Sequence, residues 1–169
     1  MTRGISRFQF LRGDFGGRET SPRPPWSISE QAFLESCSRC DACFTACPER
    51  ILVRGRGGYP EIDFSRGECT FCGRCARACP TAALGVPEGP PWLLKAEIDE
   101  RCLAAGGVVC RTCGEQCETG AIRFRLAAGG VARPELDLAR CTGCGACVAP
   151  CPAQAIRVLP PHQRKENVA

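Results

Sequence analysis

The sequence is poor in the residues that build a large apolar core. Aromatic residues make up 7% of the 169 residues, with two tryptophans and one tyrosine, and there is a single methionine. Glycine (19) and proline (14) are frequent by comparison. This composition disfavours long helices, and a chain of this length forms one compact domain or two small ones. Because small domains with little core commonly depend on a bound metal for folding, we expect the metal-free chain to be largely disordered.

Long apolar runs are also missing. No stretch approaches the roughly 18 apolar residues of a membrane-spanning helix, so the sequence predicts no membrane insertion. Residues 6–11 resemble the start of a twin-arginine export signal, but Arg7 has no second arginine beside it and no apolar segment follows. We therefore expect a cytoplasmic protein.

Signatures of several enzyme classes are absent as well. The sequence contains neither a GxGxxG nor a GxxxxGK[ST] motif, and its one histidine, His162, lies in a polar tail. These absences favour an electron-transfer or accessory protein over an enzyme.

Cysteine, in contrast, is abundant and regularly spaced. Residues 69–80 spell C-x2-C-x2-C-x3-C-P, the run in which three cysteines ligate one [4Fe–4S] cluster and the fourth ligates a partner cluster. Three further groups complete the 16 cysteines. We number the groups in chain order: motif one is Cys37, Cys40, Cys43 and Cys47; motif two is Cys69, Cys72, Cys75 and Cys79; motif three is Cys102, Cys110, Cys113 and Cys117; motif four is Cys141, Cys144, Cys147 and Cys151. The sequence therefore predicts four [4Fe–4S] clusters with these sixteen cysteines as iron ligands.

Two other uses of cysteine fit the spacing less well. A secreted disulfide scaffold also has many cysteines, but such frameworks do not repeat one eleven-residue spacing three times. Structural zinc takes two CxxC pairs a dozen or more residues apart, whereas here four cysteines fall within eleven residues and a proline follows. Both alternatives are disfavoured.

Net charge gives a misleading indication of the partner. The formal charge is +4, but sixteen thiolates and four clusters with +2 cores would change it to −4. A holoprotein of that charge is not expected to bind nucleic acid. Almost all the cations are arginines, whose fixed donors suit thiolate and sulfide, and several lie in or beside the motifs: Arg39, Arg74, Arg77, Arg111 and Arg140.

Motif three departs from the common spacing. Seven residues separate Cys102 from Cys110, and Glu118 replaces the proline that follows the fourth cysteine elsewhere. A longer, flexible loop must then supply one ligand. Hydrogen bonds to sulfur and solvent access set the reduction potential and the lability of a cluster. We therefore expect the motif-three cluster to differ from the others in one of these properties.

Short repeated segments surround the motifs and predict an α+β fold. Apolar runs around glycine-rich tips predict hairpins at residues 51–64 and 121–138, and a short helix is expected from Ser29, with Ser29 as its cap. Five positions after each fourth cysteine stands an apolar residue that we expect to pack over a cluster: Leu52, Leu84, Ile122 and Ile156.

The repeat also predicts the domain organisation. We expect two bacterial-type ferredoxin-like units, each with two clusters: residues 29–86 with motifs one and two, and residues 87–159 with motifs three and four, divided at a Pro/Gly-rich linker. An N-terminal arm (1–28) and a polar tail (160–169) flank them. The hairpins favour shared clusters between motifs one and two and between three and four. A nested pairing, one with four and two with three, stays open.

The chain resembles the NapF family, the ferredoxin-type accessory proteins of the periplasmic nitrate reductase system. Five stretches carry the resemblance: Arg23-Pro24-Pro25-Trp26; Cys40-Asp41-Ala42-Cys43; Arg54-Gly55-Arg56-Gly57-Gly58-Tyr59-Pro60; the widened third motif with Cys110-Arg111-Thr112-Cys113 and Cys117-Glu118; and Cys144-Gly145-Ala146-Cys147. The resemblance implies a cytoplasmic polyferredoxin that acts on the catalytic subunit of the reductase before export, by electron transfer or by assembly of its iron–sulfur cluster. An electron-transfer subunit of a membrane quinol or molybdo-oxidoreductase is the alternative.

Overall fold

The computed structural model describes residues 22–127 and 130–164. The predictions made for residues 1–21, including the segment that resembles an export signal, lie outside the described residues, as does the end of the polar tail.

The described part is α+β, as predicted, and its elements are short. The helices are α1 (Glu30–Ser36), α2 (Ala42–Ala46), α3 (Arg74–Arg77) and α4 (Thr112–Glu115); the strands are β1 (Leu52–Arg54), β2 (Pro60–Ile62), β3 (Lys95–Ile98), β4 (Ile122–Leu126), β5 (Ala132–Leu136) and β6 (Ile156–Leu159).

Both predicted hairpins are present. Strands β1 and β2 pair antiparallel with Leu52 opposite Ile62, and β4 and β5 pair with Ile122 opposite Leu136. The 3₁₀ turn Arg56–Gly58 joins β1 to β2. Strand β5 begins at Ala132, where Ala132 and Arg133 pair with Leu126 and Arg125 of β4.

A third sheet was not predicted from the sequence. Strand β3, which leads into motif three, pairs antiparallel with β6, which follows motif four, so that Ile98 lies opposite Ile156. The first half of the chain has a smaller counterpart of this sheet, a single antiparallel bridge between Ser27 and Leu84. In each half, therefore, the segment before the first motif meets the segment after the second.

Helix α1 begins one residue after Ser29, which occupies the N-cap position as predicted but caps the helix without its side chain. The Ser29 side chain makes no cap hydrogen bond, and Ser29 contributes its carbonyl, which accepts the N–H of Phe33 at 2.8 Å. The helix presents Phe33, which is fully buried, to the core. Arg23 stacks over the Phe33 and Tyr59 rings at 5.1 and 5.7 Å.

The apolar core continues from the first half of the chain into the second. One cluster of buried side chains contains Phe33, Ile51 and Phe64 together with Leu94 and Val158 from beyond the linker. The linker between the two halves, residues 85–91, is fixed at both ends. The backbone N–H of Gly85 donates to the Trp26 carbonyl, and the backbone N–H of Trp26 donates to the Pro91 carbonyl, each at 2.8 Å. Within the described residues, no helix has the length and apolar character of a membrane span.

Candidate iron–sulfur centres

The cysteines of the four motifs line four cavities, each of roughly 330 to 360 Å³. We name each cavity after the motif that supplies three of its cysteines. The sets are Cys37, Cys40, Cys43 and Cys79 in the motif-one cavity; Cys69, Cys72, Cys75 and Cys47 in the motif-two cavity; Cys102, Cys110, Cys113 and Cys151 in the motif-three cavity; and Cys141, Cys144, Cys147 and Cys117 in the motif-four cavity. Every cavity thus combines three cysteines of one motif with the fourth cysteine of another.

The fourth cysteines cross between neighbouring motifs. Cys47 leaves motif one for the motif-two cavity, and Cys79 makes the reverse exchange. Cys117 and Cys151 exchange in the same way between motifs three and four. A nested arrangement would instead place Cys151 beside motif one, so the geometry favours the sequential pairing.

The loops of motifs one, two and four share an unusual backbone at their second cysteine. The residues on either side of that cysteine have positive φ: Arg39 and Asp41, Phe71 and Gly73, and Gly143 and Gly145. Non-glycine residues seldom adopt this conformation and persist there only when surrounding structure imposes it, most often at functional sites. The reversed turns curl each loop around its cavity.

Motif three forms its loop differently. Arg111, which follows Cys110, has a φ of −132°, in place of the left-handed conformation found in the other three motifs. The extra loop folds back on itself, since Gly106 and Val108 donate to the carbonyls of Cys102 and Leu103 at 3.0 and 2.9 Å. Ala104 is buried beneath it, whereas Val109 is 79% exposed. Motif three therefore differs from the other motifs in the conformation of its backbone as well as in its spacing.

Three of the motifs are joined to a preceding strand by the same aspartate turn. Asp63, Asp99 and Asp137 each accept a hydrogen bond from the backbone N–H two residues later, at 2.9 to 3.0 Å. Their own N–H groups donate to Ile51, Ala155 and Ala121, each at 2.8 Å and each four residues after a fourth cysteine. Each aspartate therefore holds the start of one cysteine loop against the end of the loop with which it exchanges its fourth cysteine.

Small and aliphatic side chains close the cavities from the inside. The residues five positions after each fourth cysteine are all buried, as the sequence predicted: Leu52, Leu84, Ile122 and Ile156. Each lines one of the four cavities together with the residue before it. Such a wall excludes water and leaves few competing polar groups next to the sulfurs. Trp26 extends the wall of the motif-two cavity.

Hydrogen-bond donors approach several of the sulfurs. The backbone N–H groups of Ala96 and Ala155 donate to Cys141 and Cys151, each at 3.4 Å. The Thr119 hydroxyl lies 3.5 Å from the Cys117 sulfur, and the Thr81 hydroxyl lies 3.6 Å from that of Cys79. Sequence reasoning missed both threonines, although each stands two residues after a fourth cysteine, a spacing that would have identified them.

The protonation of the thiols follows their burial. Burial raises the pKa of Cys43, Cys69 and Cys147 to about 12 and that of Cys75 and Cys113 to about 11. Burial also acts on Cys117, but hydrogen bonds from Thr119 and from backbone amides outweigh it and lower the pKa of that thiol. Binding of a metal as thiolate must therefore displace protons from most of the cavities.

Three arginines near the motifs contact aromatic rings or a backbone carbonyl. The Arg39 and Arg111 guanidinium groups lie over the Tyr59 and Phe124 rings at 5.2 and 5.4 Å. Arg77 donates to the carbonyl of Cys72 at 2.5 Å. These three side chains therefore brace the loops through aromatic and backbone contacts.

The cysteines surround their cavities rather than meeting at one point. In the part of the chain that the structure describes, no three His, Cys, Asp or Glu side chains converge as ligands of one metal ion. Four sulfurs that line one space are the ligand set of a polynuclear cluster, whose iron and sulfide occupy the interior.

Comparison with known proteins agrees with this geometry. Residues 36–83 and 108–166 match the 4Fe-4S dicluster domain family. The second matched region begins after Cys102, consistent with the altered spacing of motif three. The chain is 45% identical to the ferredoxin-type protein NapF of Escherichia coli K12, over 89% of this chain and 92% of that protein, and 42% identical to that of Haemophilus influenzae Rd, over 90% and 92%. It is also 33% identical to the methylamine utilization ferredoxin-type protein MauM of Methylorubrum extorquens AM1, over 82% of this chain and 72% of that protein.

Proposed function

Because the chain belongs to the NapF family of ferredoxin-type iron–sulfur proteins, we propose that it carries four [4Fe–4S] clusters, one in each cavity, held by all sixteen cysteines. The observation that carries this proposal is the repeated set of three cysteines from one motif and one from its neighbour. We further propose that the described chain comprises two double-cluster units, with motifs one and two in residues 29–86 and motifs three and four in residues 87–159.

The residues present fit such clusters. Each cavity offers four thiol sulfurs and a wall of buried aliphatic side chains, and backbone N–H groups donate to Cys141 and Cys151. A bound [4Fe–4S] cluster would supply one-electron redox chemistry. The chain itself would bind the iron as thiolates, keep water from the buried face, and stabilise negative charge on sulfur through N–H and hydroxyl donors.

Electron transfer is the activity that this arrangement supports. The family is one of electron-transfer iron–sulfur proteins, and Cys40 of the motif-one cavity and Cys72 of the motif-two cavity are exposed. An electron-transfer protein needs its redox groups close to the surface at the point where a partner docks. These two sulfurs satisfy that requirement for the motif-one and motif-two sites.

We place the protein in the cytoplasm, in the maturation of the catalytic subunit of periplasmic nitrate reductase before export, by electron transfer or by assembly of its iron–sulfur cluster. This role rests on the similarity to NapF proteins, which extends over about nine tenths of both chains. The second candidate is an electron-transfer subunit of a membrane quinol or molybdo-oxidoreductase. The similarity to MauM, a ferredoxin-type protein of methylamine utilization, keeps it open, because it shows that relatives of this chain also belong to systems other than nitrate reduction.

Two experiments test the proposal. Protein purified without oxygen is expected to contain about four iron and four sulfide ions per motif and to give the EPR signals of reduced [4Fe–4S] clusters. Zinc in place of iron would overturn the assignment of the cofactor.

The partner is tested separately by capture. Tagged protein in cytoplasmic extracts is expected to retain the nitrate reductase catalytic subunit that still carries its signal peptide, in preference to the mature subunit. Recovery of the protein from the periplasm, or equal capture of both forms, would replace the maturation role with that of an electron-transfer subunit.

A further inference from the structure

Motifs two and four meet across the boundary between the two halves of the chain. The backbone N–H of Cys69 donates to the carbonyl of Cys144 at 2.8 Å. Cys69 lines the motif-two cavity and Cys144 lines the motif-four cavity. One peptide hydrogen bond therefore connects a ligand-bearing residue of the first half directly to one of the second.

Glycines make this approach possible. A Cβ atom on Gly145 would lie 1.9 Å from the Phe64 ring, and one on Gly143 would lie 2.3 Å from the carbonyl oxygen of Leu94. Both distances are too short for any side chain. Glycine at position 145 lets the motif-four loop pack against Phe64 of the first half, and glycine at position 143 lets the same loop pack against Leu94 of its own half. Phe64 is itself buried in the core that the two halves share.

Trp92 closes the same contact from the linker. Its indole N–H donates to the Thr142 carbonyl at 2.9 Å, and its ring contacts those of Phe71 and Phe64 edge-on at centroid distances of 5.4 and 6.1 Å. Phe71 belongs to motif two, and Thr142 belongs to motif four. We call the contact formed by Phe64, Cys69, Phe71, Trp92 and residues 142–145 the inter-unit junction.

We propose that the inter-unit junction fixes the order of the four cluster sites as one, two, four, three. This inference rests on the proposed function, since it concerns the sites at which clusters would bind. The exchange of Cys47 and Cys79 makes sites one and two neighbours, and the exchange of Cys117 and Cys151 does the same for sites three and four. The junction joins site two to site four, so sites one and three lie at the two ends. The spatial order therefore differs from the order of the motifs in the sequence.

The order is tested by the magnetic interaction between reduced clusters. The double variant Cys40→Ser, Cys110→Ser removes a ligand from each end site and retains the inner pair. The double variant Cys72→Ser, Cys144→Ser retains the end pair. Both are reduced and compared by EPR after iron analysis has shown two clusters per chain. We expect spin–spin splitting or enhanced relaxation in the first variant and well-separated signals in the second.

The opposite pattern, or equal interaction in both variants, would overturn the proposed order. The iron content of the unmodified protein separates this result from a failure of the proposed function, because a protein without four clusters fails at that earlier measurement.

A second test does not require loss of any ligand. A specific protease site is inserted after Val86, which is exposed, and the holoprotein is cleaved there. Because the junction holds the halves together, the fragments are expected to co-elute in gel filtration. Gly145→Leu is expected to release them.

Gly130→Leu is the matched control. Gly130 has the same φ of +86° as Gly145, so leucine meets the same backbone strain, but a Cβ there has nothing within 4 Å. Its fragments are expected to stay together. Fragments that remain joined with Gly145→Leu, or that separate with the unmodified sequence, would show that the junction does not fix the two halves.

Discussion

The hydroxyl of Thr119 lies 3.5 Å from the sulfur of Cys117, the residue that motif three contributes to the motif-four cavity. A donor at this distance stabilises negative charge on the sulfur and lowers the pKa of the thiol against the effect of burial. Thr119 therefore acts on the charge of the motif-four site. At Cys79 the Thr81 hydroxyl lies 3.6 Å from the sulfur, and the thiol donates to the Thr81 carbonyl at 3.1 Å.

Thr119→Val is expected to lower the reduction potential of one cluster. The reduced cluster carries more negative charge, so the hydroxyl stabilises it more than the oxidised form. A net hydrogen bond of about 1 kcal/mol corresponds to at most about 40 mV for a one-electron couple. Potentiometric titration followed by EPR measures the change. Thr45→Val, at an exposed position of helix α2, is the control, and an equal shift in both variants would contradict the prediction.

Cys72→Ala is expected to remove one cluster of four and to weaken its neighbour. Cys72 lines the motif-two cavity, and the motif-one cavity depends on Cys79 from the same loop. Iron content should fall by about one quarter or more when the protein is made without oxygen. Iron retained at the original level would show that Cys72 is not a ligand.

The cluster of the motif-three cavity is expected to be lost first in air. Its loop lacks the left-handed residue that follows the second cysteine elsewhere, and Val109, next to Cys110, is largely exposed. Graded oxidation followed by EPR should show one signal decaying before the others. A variant with residues 103–109 shortened to two should slow that decay, and a decay that is no slower would contradict this explanation of motif three.

Asp63→Ala is expected to destabilise the holoprotein by about 1 kcal/mol, because the carboxylate accepts hydrogen bonds from the N–H and hydroxyl of Ser65 at 3.0 and 2.5 Å. Asp63→Asn retains an acceptor and loses mainly the surface ion pair with Arg66, so its cost should be less than about 1 kcal/mol. Thermal unfolding of the two variants, followed by cluster absorbance, measures the difference.

The effect of Asp63 should also depend on pH. Burial raises its pKa, but the Ser65 hydrogen bonds and Arg66 outweigh burial, so the pKa in the folded protein lies below the ordinary value of 3.8. The stabilisation is therefore complete above pH 3.8 and is lost as the pH falls through the folded pKa. A difference between wild type and Asp63→Ala that shrinks as the pH rises above neutrality would contradict this assignment.

Short stretches of the sequence were enough to predict the cysteine loops, the two hairpins and the buried residues that follow the motifs. The C-x2-C-x2-C-x3-C spacing identified the cysteine loops, because the ligands of such a loop are set by a few consecutive residues. The two hairpins and the burial of Leu52, Leu84, Ile122 and Ile156 follow from short apolar patterns for the same reason. The sixteen cysteines as iron ligands and the boundaries of the two units stay predictions.

The tertiary structure decided which distant segments meet. The pairing of β3 with β6, the exchange of fourth cysteines and the hydrogen bond from Cys69 to Cys144 join residues that are remote in the chain. The hairpins favoured the sequential pairing, but cysteine spacing alone is compatible with the nested one, since both bring four sulfurs together. The sets of cysteines that line each cavity distinguish the two only in three dimensions, because they depend on the close packing of loops that share no local sequence signal.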